Sequence, residues 1–172
     1  MSAPIPHYDT TFVGREDLLG DVLAHLATPG LLTLLGPGGV GKTRLVCQLG
    51  EVVQGQWPGG VRYFDLSGAR DEEGVVAVAC EALGVRPGAD AANRVAFAIE
   101  GAGRTLLILD NFEQLVEHAP DTVSAWMGRA ADARFLVTSR VLLGLAGEQV
   151  VDLSACHYAS YPRRVGPTLP AS

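Results

Sequence analysis

The residues with the clearest chemical potential form one octet in the first third of the chain. Lys42 is the only lysine of the 172 residues, and it closes a run that reads Gly36-Pro37-Gly38-Gly39-Val40-Gly41-Lys42-Thr43. The run matches G-x-x-x-x-G-K-[ST], a loop whose backbone N–H groups wrap phosphate oxygens while the compact ammonium group reaches between them. The octet therefore predicts a phosphate-binding loop, with Lys42 as the charge-neutralising and candidate catalytic group.

The segments on either side of the octet are those that such a loop requires. Residues 31–35 form a short apolar run, typical of a buried parallel strand that leads into the loop. Residues 43–53 place apolar side chains at helical spacing, so the loop opens a helix whose positive end favours anions. We expect a bound nucleotide to contact the loop and the first turn of this helix, through Gly36, Pro37, Gly38, Gly39, Val40, Gly41, Lys42, Thr43 and Arg44.

A carboxylate at the end of a later apolar run is the second chemical signal. Residues 105–110 predict a buried strand that ends in Asp110. In phosphate-loop NTPases, a carboxylate in this place helps to hold the Mg²⁺ that the loop Ser or Thr also binds. Thr43 and Asp110 are therefore the predicted metal ligands, directly or through water. The alternative is that Asp110 caps a following helix, and both roles can hold together, although the strand before it favours the metal role.

Two further side chains are candidates for catalysis. Asn111 stands where a second acid would be needed to activate water, and an amide holds water but cannot take its proton. Glu113 either substitutes for that acid or is a solvated residue at the start of a helix, so we expect slow hydrolysis. Arg140 follows the fourth predicted strand, on the edge of the sheet where ligands bind, and is either a contact to the γ-phosphate or a surface arginine.

Composition sets limits on the class of protein. The length suits one domain, and the net charge of −6 with a pI near 5.1 argues against direct nucleic-acid binding by this segment. No uninterrupted apolar stretch reaches the roughly 18 residues of a membrane span, so we expect a cytoplasmic protein that does not enter the membrane. Cys47 and Cys80 lie among apolar neighbours and are predicted core residues, while the scattered histidines do not suit zinc.

Alternating strand and helix patterns predict the fold class. Apolar strands that alternate with amphipathic helices indicate an α/β fold, with a three-layer parallel sheet of about five strands and helices on both faces. The predicted strands are 31–35, 61–66, 105–110, 134–138 and 148–153. The predicted helices are 17–26, 43–53, 72–83 and 90–100, with helical stretches around 112–118 and 122–131.

Four segments together resemble a known family. They are residues 12–16 (FVGRE), the octet, residues 107–113 (LILDNFE) and residues 136–140 (LVTSR). In this order they resemble the STAND class of signalling ATPases, and most closely the NB-ARC-like domains of bacterial, often actinobacterial, transcriptional regulators. The resemblance covers residues 12–153. It implies a switch that is closed with ADP and open and oligomerising with ATP, and it places Val13 and Arg15 near the adenine and ribose.

The chain departs from this family after the fifth predicted strand. Members continue into helical and winged-helix subdomains that close over the nucleotide, whereas residues 154–172 resemble neither and are predicted to be irregular or disordered. Residues 1–11 are predicted to be a loose lead-in. We therefore expect a truncated product, with residues 12–153 as its nucleotide-binding domain and a site open to water. The surface that a lid would cover would then be available to a protein partner or to self-association.

The functional expectation follows from the motifs and the resemblance together. We expect an ATP- or ADP-binding domain of a STAND-type regulator that uses Mg²⁺ and hydrolyses ATP slowly or not at all. One alternative is a small kinase-type phosphotransferase, although the chain shows no convincing arginine-bearing lid. The other is a non-catalytic relic or protein-interaction module that ignores nucleotide.

Overall fold

The computed structural model describes residues 4–8 and 16–154, and its centre is a single sheet of five parallel strands. The order across the sheet is β2-β3-β4-β1-β5, so β1 lies between β4 and β5. The chain leaves β1 for the far edge of the sheet, and this change of direction opens a crevice at the carboxyl end of β1. The strands are β1 Gly30–Leu35, β2 Val61–Asp65, β3 Leu106–Asp110, β4 Arg134–Ser139 and β5 Gln149–Asp152.

Helices cover both faces of the sheet. Successive side chains of β3 point to opposite faces, so Leu106 and Ile108 join the core beneath α1 and α2 while Leu107 and Leu109 join the core beneath the other three helices. This arrangement confirms the predicted three-layer α/β fold. The helices are α1 Glu16–His25, α2 Lys42–Val53, α3 Glu72–Leu83, α4 Ala91–Ala102 and α5 Ala125–Arg129, with 3₁₀ turns at Gln54–Gln56 and Val116–His118 and a π-helical turn at Pro120–Ser124.

The segment between β3 and β4 differs from its prediction. Two helical stretches were expected, around 112–118 and 122–131, whereas the structure has a 3₁₀ turn, a π-helical turn and the short α5. Pro120 is the physical reason, because proline has no N–H to donate and therefore cannot continue the hydrogen-bond ladder of an α-helix. The hydroxyl of Thr122 donates to the His118 carbonyl at 2.7 Å and satisfies one of the displaced backbone acceptors.

The two cysteines among the described residues lie in the core. Cys47 and Cys80 are buried as predicted, and burial raises the pKa of the Cys47 thiol to about 12, so that thiol is protonated at neutral pH. None of the described helices is long and apolar enough to cross a membrane. The predicted lead-in, 1–11, and the predicted irregular tail, 154–172, lie largely outside the described residues.

Candidate functional site

The octet forms a tight loop between β1 and α2, and its glycines determine the shape. Gly39 and Gly41 have φ angles of 79° and 92°, in the left-handed region that glycine enters without a steric penalty. Gly41 is the N-cap residue of α2, and no side chain caps this end of the helix. The first turn of α2 therefore presents the positive end of the helix dipole without a capping side chain, an arrangement suited to an anion.

Lys42 lies under this loop and is held by the loop itself. Its side chain is buried, and Nζ donates to the carbonyls of Gly36 at 2.7 Å and Pro37 at 3.0 Å. Burial lowers the pKa of Lys42 and nearby Arg140 lowers it further, while the Glu113 and Asp110 carboxylates act in the opposite direction. An ammonium group has three N–H donors, so the two carbonyls leave one for an incoming anion.

The structure brings Arg140 onto the same loop. A Cβ atom built on Gly38 would lie 2.6 Å from an Nη atom of Arg140, so the guanidinium packs directly against the loop at a residue that has no side chain. The Arg140 side chain is 60% exposed, and its Nε lies 3.7 Å from Glu113 Oε1. Two predicted residues from different loops, Glu113 and Arg140, therefore meet above the predicted phosphate site.

Asp110 lies fully buried at the end of β3 and is the most heavily hydrogen-bonded side chain of the site. Its Oδ1 accepts from the hydroxyls of Thr43, at 3.1 Å, and Thr138. Its Oδ2 accepts from the hydroxyl of Tyr63 at 2.8 Å and from the side-chain amide of Asn111 at 3.3 Å. The predicted metal pair, Thr43 and Asp110, is thus in direct contact.

The chain turns sharply after Asp110 and places Glu113 beside the loop. Asn111 has a φ of 64°, a left-handed conformation that asparagine tolerates better than most residues, and its backbone N–H donates to the Thr138 hydroxyl at 2.9 Å. Glu113 Oε2 is buried and has no hydrogen-bond partner among the described residues. Buried acceptors are nearly always satisfied, so this atom is available to a donor that occupies the cradle.

Three residues that contribute to the site, Tyr63, Thr138 and Glu148, were not predicted as site residues from the sequence. Tyr63 and Thr138 belong to the strands on either side of β3, and the local pattern of neither strand indicates a contact with Asp110. Glu148 organises the loop that carries Arg140, because its carboxylate accepts from the Thr33 hydroxyl at 2.7 Å and from the Leu143 and Gly144 N–H groups at 3.0 and 2.8 Å. Local patterns do not show such distant pairs.

Two predicted residues and one cleft remain to be placed. Val13 and Arg15, expected near the adenine and ribose, lie outside the described residues. A cleft of about 390 Å³ lies between α3 and the loop before α4, with Glu72, Glu73 and Cys80 in its lining. None of the candidate site residues that the structure describes lines this cleft.

Sequence comparison finds relatives among actinobacterial proteins, although no family model matches the chain. The chain is 36% identical over 141 residues to Rv0894, an uncharacterised protein of Mycobacterium tuberculosis, with 81% of this chain and 36% of the relative covered. Rv0890c of the same organism, provisionally named an HTH-type transcriptional regulator, is 35% identical over 127 residues, which is 73% of this chain and 14% of the relative. The regulatory protein AfsR of Streptomyces griseus is 31% identical, with 88% of this chain and 16% of AfsR covered. The chain therefore spans little more than a third of the length of these relatives, or less.

Comparison with solved structures finds the same fold in ATPases. A STAND protein with a tetratricopeptide repeat sensor from Pyrococcus horikoshii matches with a TM-score of 0.54 and 21% identity, over 86% of this chain and 24% of that one. Cdc6p from Pyrobaculum aerophilum matches with a TM-score of 0.64 and 18% identity, over 86% and 47% of the two chains. The ORC2 protein of Aeropyrum pernix, solved in ADPNP and ADP complexes, has a TM-score of 0.61 and 11% identity, over 88% and 52%. The chain thus has the fold of the phosphate-loop NTPases, and its predicted resemblance to STAND proteins and bacterial transcriptional regulators is confirmed.

Proposed function

We propose that this chain binds ATP or ADP together with Mg²⁺, as the nucleotide-binding domain of a STAND-type regulator. The observation that carries the proposal is the buried Lys42, which two carbonyls of its own loop hold beside the uncapped end of α2. A buried ammonium group that no carboxylate of the described residues contacts, beside a helix N-terminus without a side-chain cap, is suited to phosphate. The sequence similarity to regulators and the fold shared with ATPases support the same function.

The roles of the residues follow from their positions. Backbone N–H groups from the loop and the first turn of α2 contact the phosphates, apart from those of Gly36 and Val40, which donate to backbone carbonyls, and Lys42 neutralises the phosphate charge. Thr43 and Asp110 hold Mg²⁺, which when bound offsets further phosphate charge. Arg140 lies on the loop at Gly38 and reports whether a γ-phosphate is present. By the family resemblance, Val13 and Arg15 contact the adenine and ribose.

Hydrolysis is proposed to be slow because the carboxylates are poorly arranged for it. Asp110 accepts four hydrogen bonds from protein groups, so it is committed to these contacts and to the metal. Asn111 cannot take a proton. Glu113 is therefore the residue that orients the attacking water. Its Oε2 has no partner among the described residues, and its Oε1 lies 3.7 Å from Arg140 Nε.

We also propose that the loop after Arg140 contacts protein. Val141 and Leu142 are 49% and 50% exposed and follow directly on the residue that reports the γ-phosphate. This exposed apolar pair is suited to self-association or to a partner whose binding depends on the nucleotide. Sedimentation velocity of the chain with ADP and with ATP measures this dependence.

The central test removes the ammonium group. Lys42→Ala should weaken binding of Mg²⁺–ADP and Mg²⁺–ATP by about 2–5 kcal/mol, because it leaves phosphate charge unpaired in a desolvated site. Isothermal titration calorimetry measures the change, and denaturant unfolding checks that the variant is folded.

A matched control variant separates this effect from general electrostatics. Arg86→Ala removes one positive charge from an exposed position in the loop before α4 and should leave nucleotide affinity unchanged. Equal affinities in Lys42→Ala and the original chain would overturn the assignment of the loop, and absence of nucleotide binding by the original chain would overturn the proposed function.

A further inference from the structure

Tyr63 is a buried tyrosine whose hydroxyl hydrogen-bonds to the Asp110 carboxylate and also lies beside the Cys47 thiol. It lies in the middle of β2, is 5% exposed, and packs in the core on the α2 side of the sheet. Its hydroxyl donates to Asp110 Oδ2 at 2.8 Å. Phenylalanine would supply the same apolar ring, so the feature that distinguishes tyrosine here is the hydrogen bond to Asp110.

The strands on both sides of β3 act together on this carboxylate. Tyr63 from β2 donates to Oδ2, and Thr138 from β4 donates to Oδ1. Hydrogen bonds to an ionised acceptor are shorter and stronger than those between neutral groups. With one on each oxygen, the plane of the carboxylate cannot rotate without breaking a strong contact. Without the Tyr63 hydroxyl, Oδ2 would keep only the longer contact of 3.3 Å from the Asn111 amide.

The electrostatic setting keeps Tyr63 in its donor form. Burial raises the pKa of the Tyr63 hydroxyl above its ordinary value, and the nearby Asp110 carboxylate raises it further. A tyrosine hydroxyl is protonated at neutral pH even without such a shift, so Tyr63 donates to the carboxylate as the geometry indicates.

We propose that Tyr63 is a positioning residue that fixes the orientation of Asp110 and thereby makes the site selective for Mg²⁺ over larger divalent cations. The inference rests on the proposed function, since it assigns Asp110 to the metal. Mg²⁺ demands a near-ideal octahedral arrangement, whereas Ca²⁺ accepts flexible ligand geometry. A fixed carboxylate favours the first ion more than the second, so loss of the Tyr63 hydroxyl should harm Mg²⁺ selectively.

The test compares the full chain with its Tyr63→Phe variant in ADP titrations with Mg²⁺, with Ca²⁺ and with EDTA. In the variant, the Mg²⁺ concentration that gives half of the maximal gain in ADP affinity should rise about tenfold, the lower end for removal of a group that orients a metal ligand. The corresponding Ca²⁺ concentration should change by less than about twofold, and affinity in EDTA should stay the same, because Ca²⁺ tolerates a mobile carboxylate and Lys42 is untouched. Tyr8→Phe, which removes a hydroxyl from a tyrosine that is 43% exposed, is the matched control and should behave as the original chain.

The outcomes separate the two proposals. If the original chain binds no nucleotide, the proposed function fails and this inference fails with it. If the original chain binds Mg²⁺–ADP and Tyr63→Phe has the same Mg²⁺ midpoint, only the inference is overturned. Equal loss of ADP affinity in Mg²⁺, Ca²⁺ and EDTA would also overturn it, because a merely structural role predicts that pattern. A thermal melt of the variant without nucleotide confirms that the compared protein is folded.

Discussion

Two carboxylates lie three positions apart in this site, Asp110 and Glu113, and the fold treats them in opposite ways. Asp110 is fully buried and accepts hydrogen bonds from four protein donors. Glu113 has one oxygen at 3.7 Å from Arg140 and another that is buried without a partner among the described residues. The Asp110 carboxylate is held by hydrogen bonds at the end of β3, whereas the Glu113 carboxylate keeps one oxygen that can still accept a hydrogen bond.

The physical consequence is a difference in what each group contributes to folding. Each hydrogen bond to a charged group contributes about 1.5–3 kcal/mol, and a buried acceptor without a donor costs about 1–3 kcal/mol. Asp110 should therefore stabilise the native state, whereas Glu113 should contribute little or weaken it slightly. A carboxylate kept at such a cost is a candidate for work on a ligand.

The largest expected effect comes from Asp110→Asn. The amide replaces one acceptor oxygen by a donor that faces the hydroxyl donors of Thr43 and Thr138 or that of Tyr63, so unfolding free energy should fall by about 2–4 kcal/mol. Urea unfolding measures this fall, and nucleotide affinity should lose its dependence on Mg²⁺. Asp65→Asn, at the register position beside Asp110 on β2 but exposed, is the control and should change stability by less than about 0.5 kcal/mol. A similar loss in both variants would remove the contrast between the buried carboxylate and its surroundings.

An intermediate effect is expected for Thr138→Val, which keeps the shape of the side chain and removes its hydroxyl. Both the donor to Asp110 and the acceptor for the Asn111 N–H are lost, and we expect a destabilisation of about 1–3 kcal/mol. Thr138→Ser keeps the hydroxyl and should retain most of that stability. If the serine variant unfolds as easily as the valine variant, the methyl group rather than the hydrogen bonds accounts for the effect.

The smallest effect on folding is expected for Glu113→Gln, whereas its effect on catalysis should be clear. Unfolding free energy should stay within about 0.5 kcal/mol, since the carboxylate has one unpartnered oxygen and one long contact. Release of phosphate from ATP should fall about tenfold or more, because the amide cannot accept a proton from water. Glu117→Gln, whose side chain is 82% exposed, is the control for loss of charge. Unchanged phosphate release, or a large loss of stability, would contradict the contrast with Asp110.

The sequence predicts the strands and the loop well because their signals are local. The apolar runs of β1, β3 and β4 are buried on both faces, so composition alone marks them. Short motifs locate the glycines of the octet, and the apolar run of β3 locates Asp110 at its end. The location of Arg140 at the ligand-binding edge of the sheet is likewise predicted from its place directly after β4.

The contacts that could not be predicted from the sequence are those that depend on which strands are neighbours in the sheet. The contact of Tyr63 with Asp110 requires β2 beside β3, and that of Thr138 requires β4 on the other side. A parallel sheet of five strands can be ordered in several ways without any change in local pattern. The unpartnered oxygen of Glu113 is still harder to predict from the sequence, because its position depends on a backbone turn at Asn111 that few residues other than glycine adopt.

Gly38 shows how small a change would separate two distant parts of the chain. It has no positive φ angle, so alanine is allowed there by the backbone alone. The added methyl carbon would nevertheless lie 2.6 Å from the Arg140 guanidinium, closer than two such atoms can approach. Alanine at position 38 would leave the backbone path of the loop in place yet displace a cation from it. Under the roles proposed above, alanine at position 38 would test whether the response to the γ-phosphate depends on the position of Arg140, without removal of a charged group.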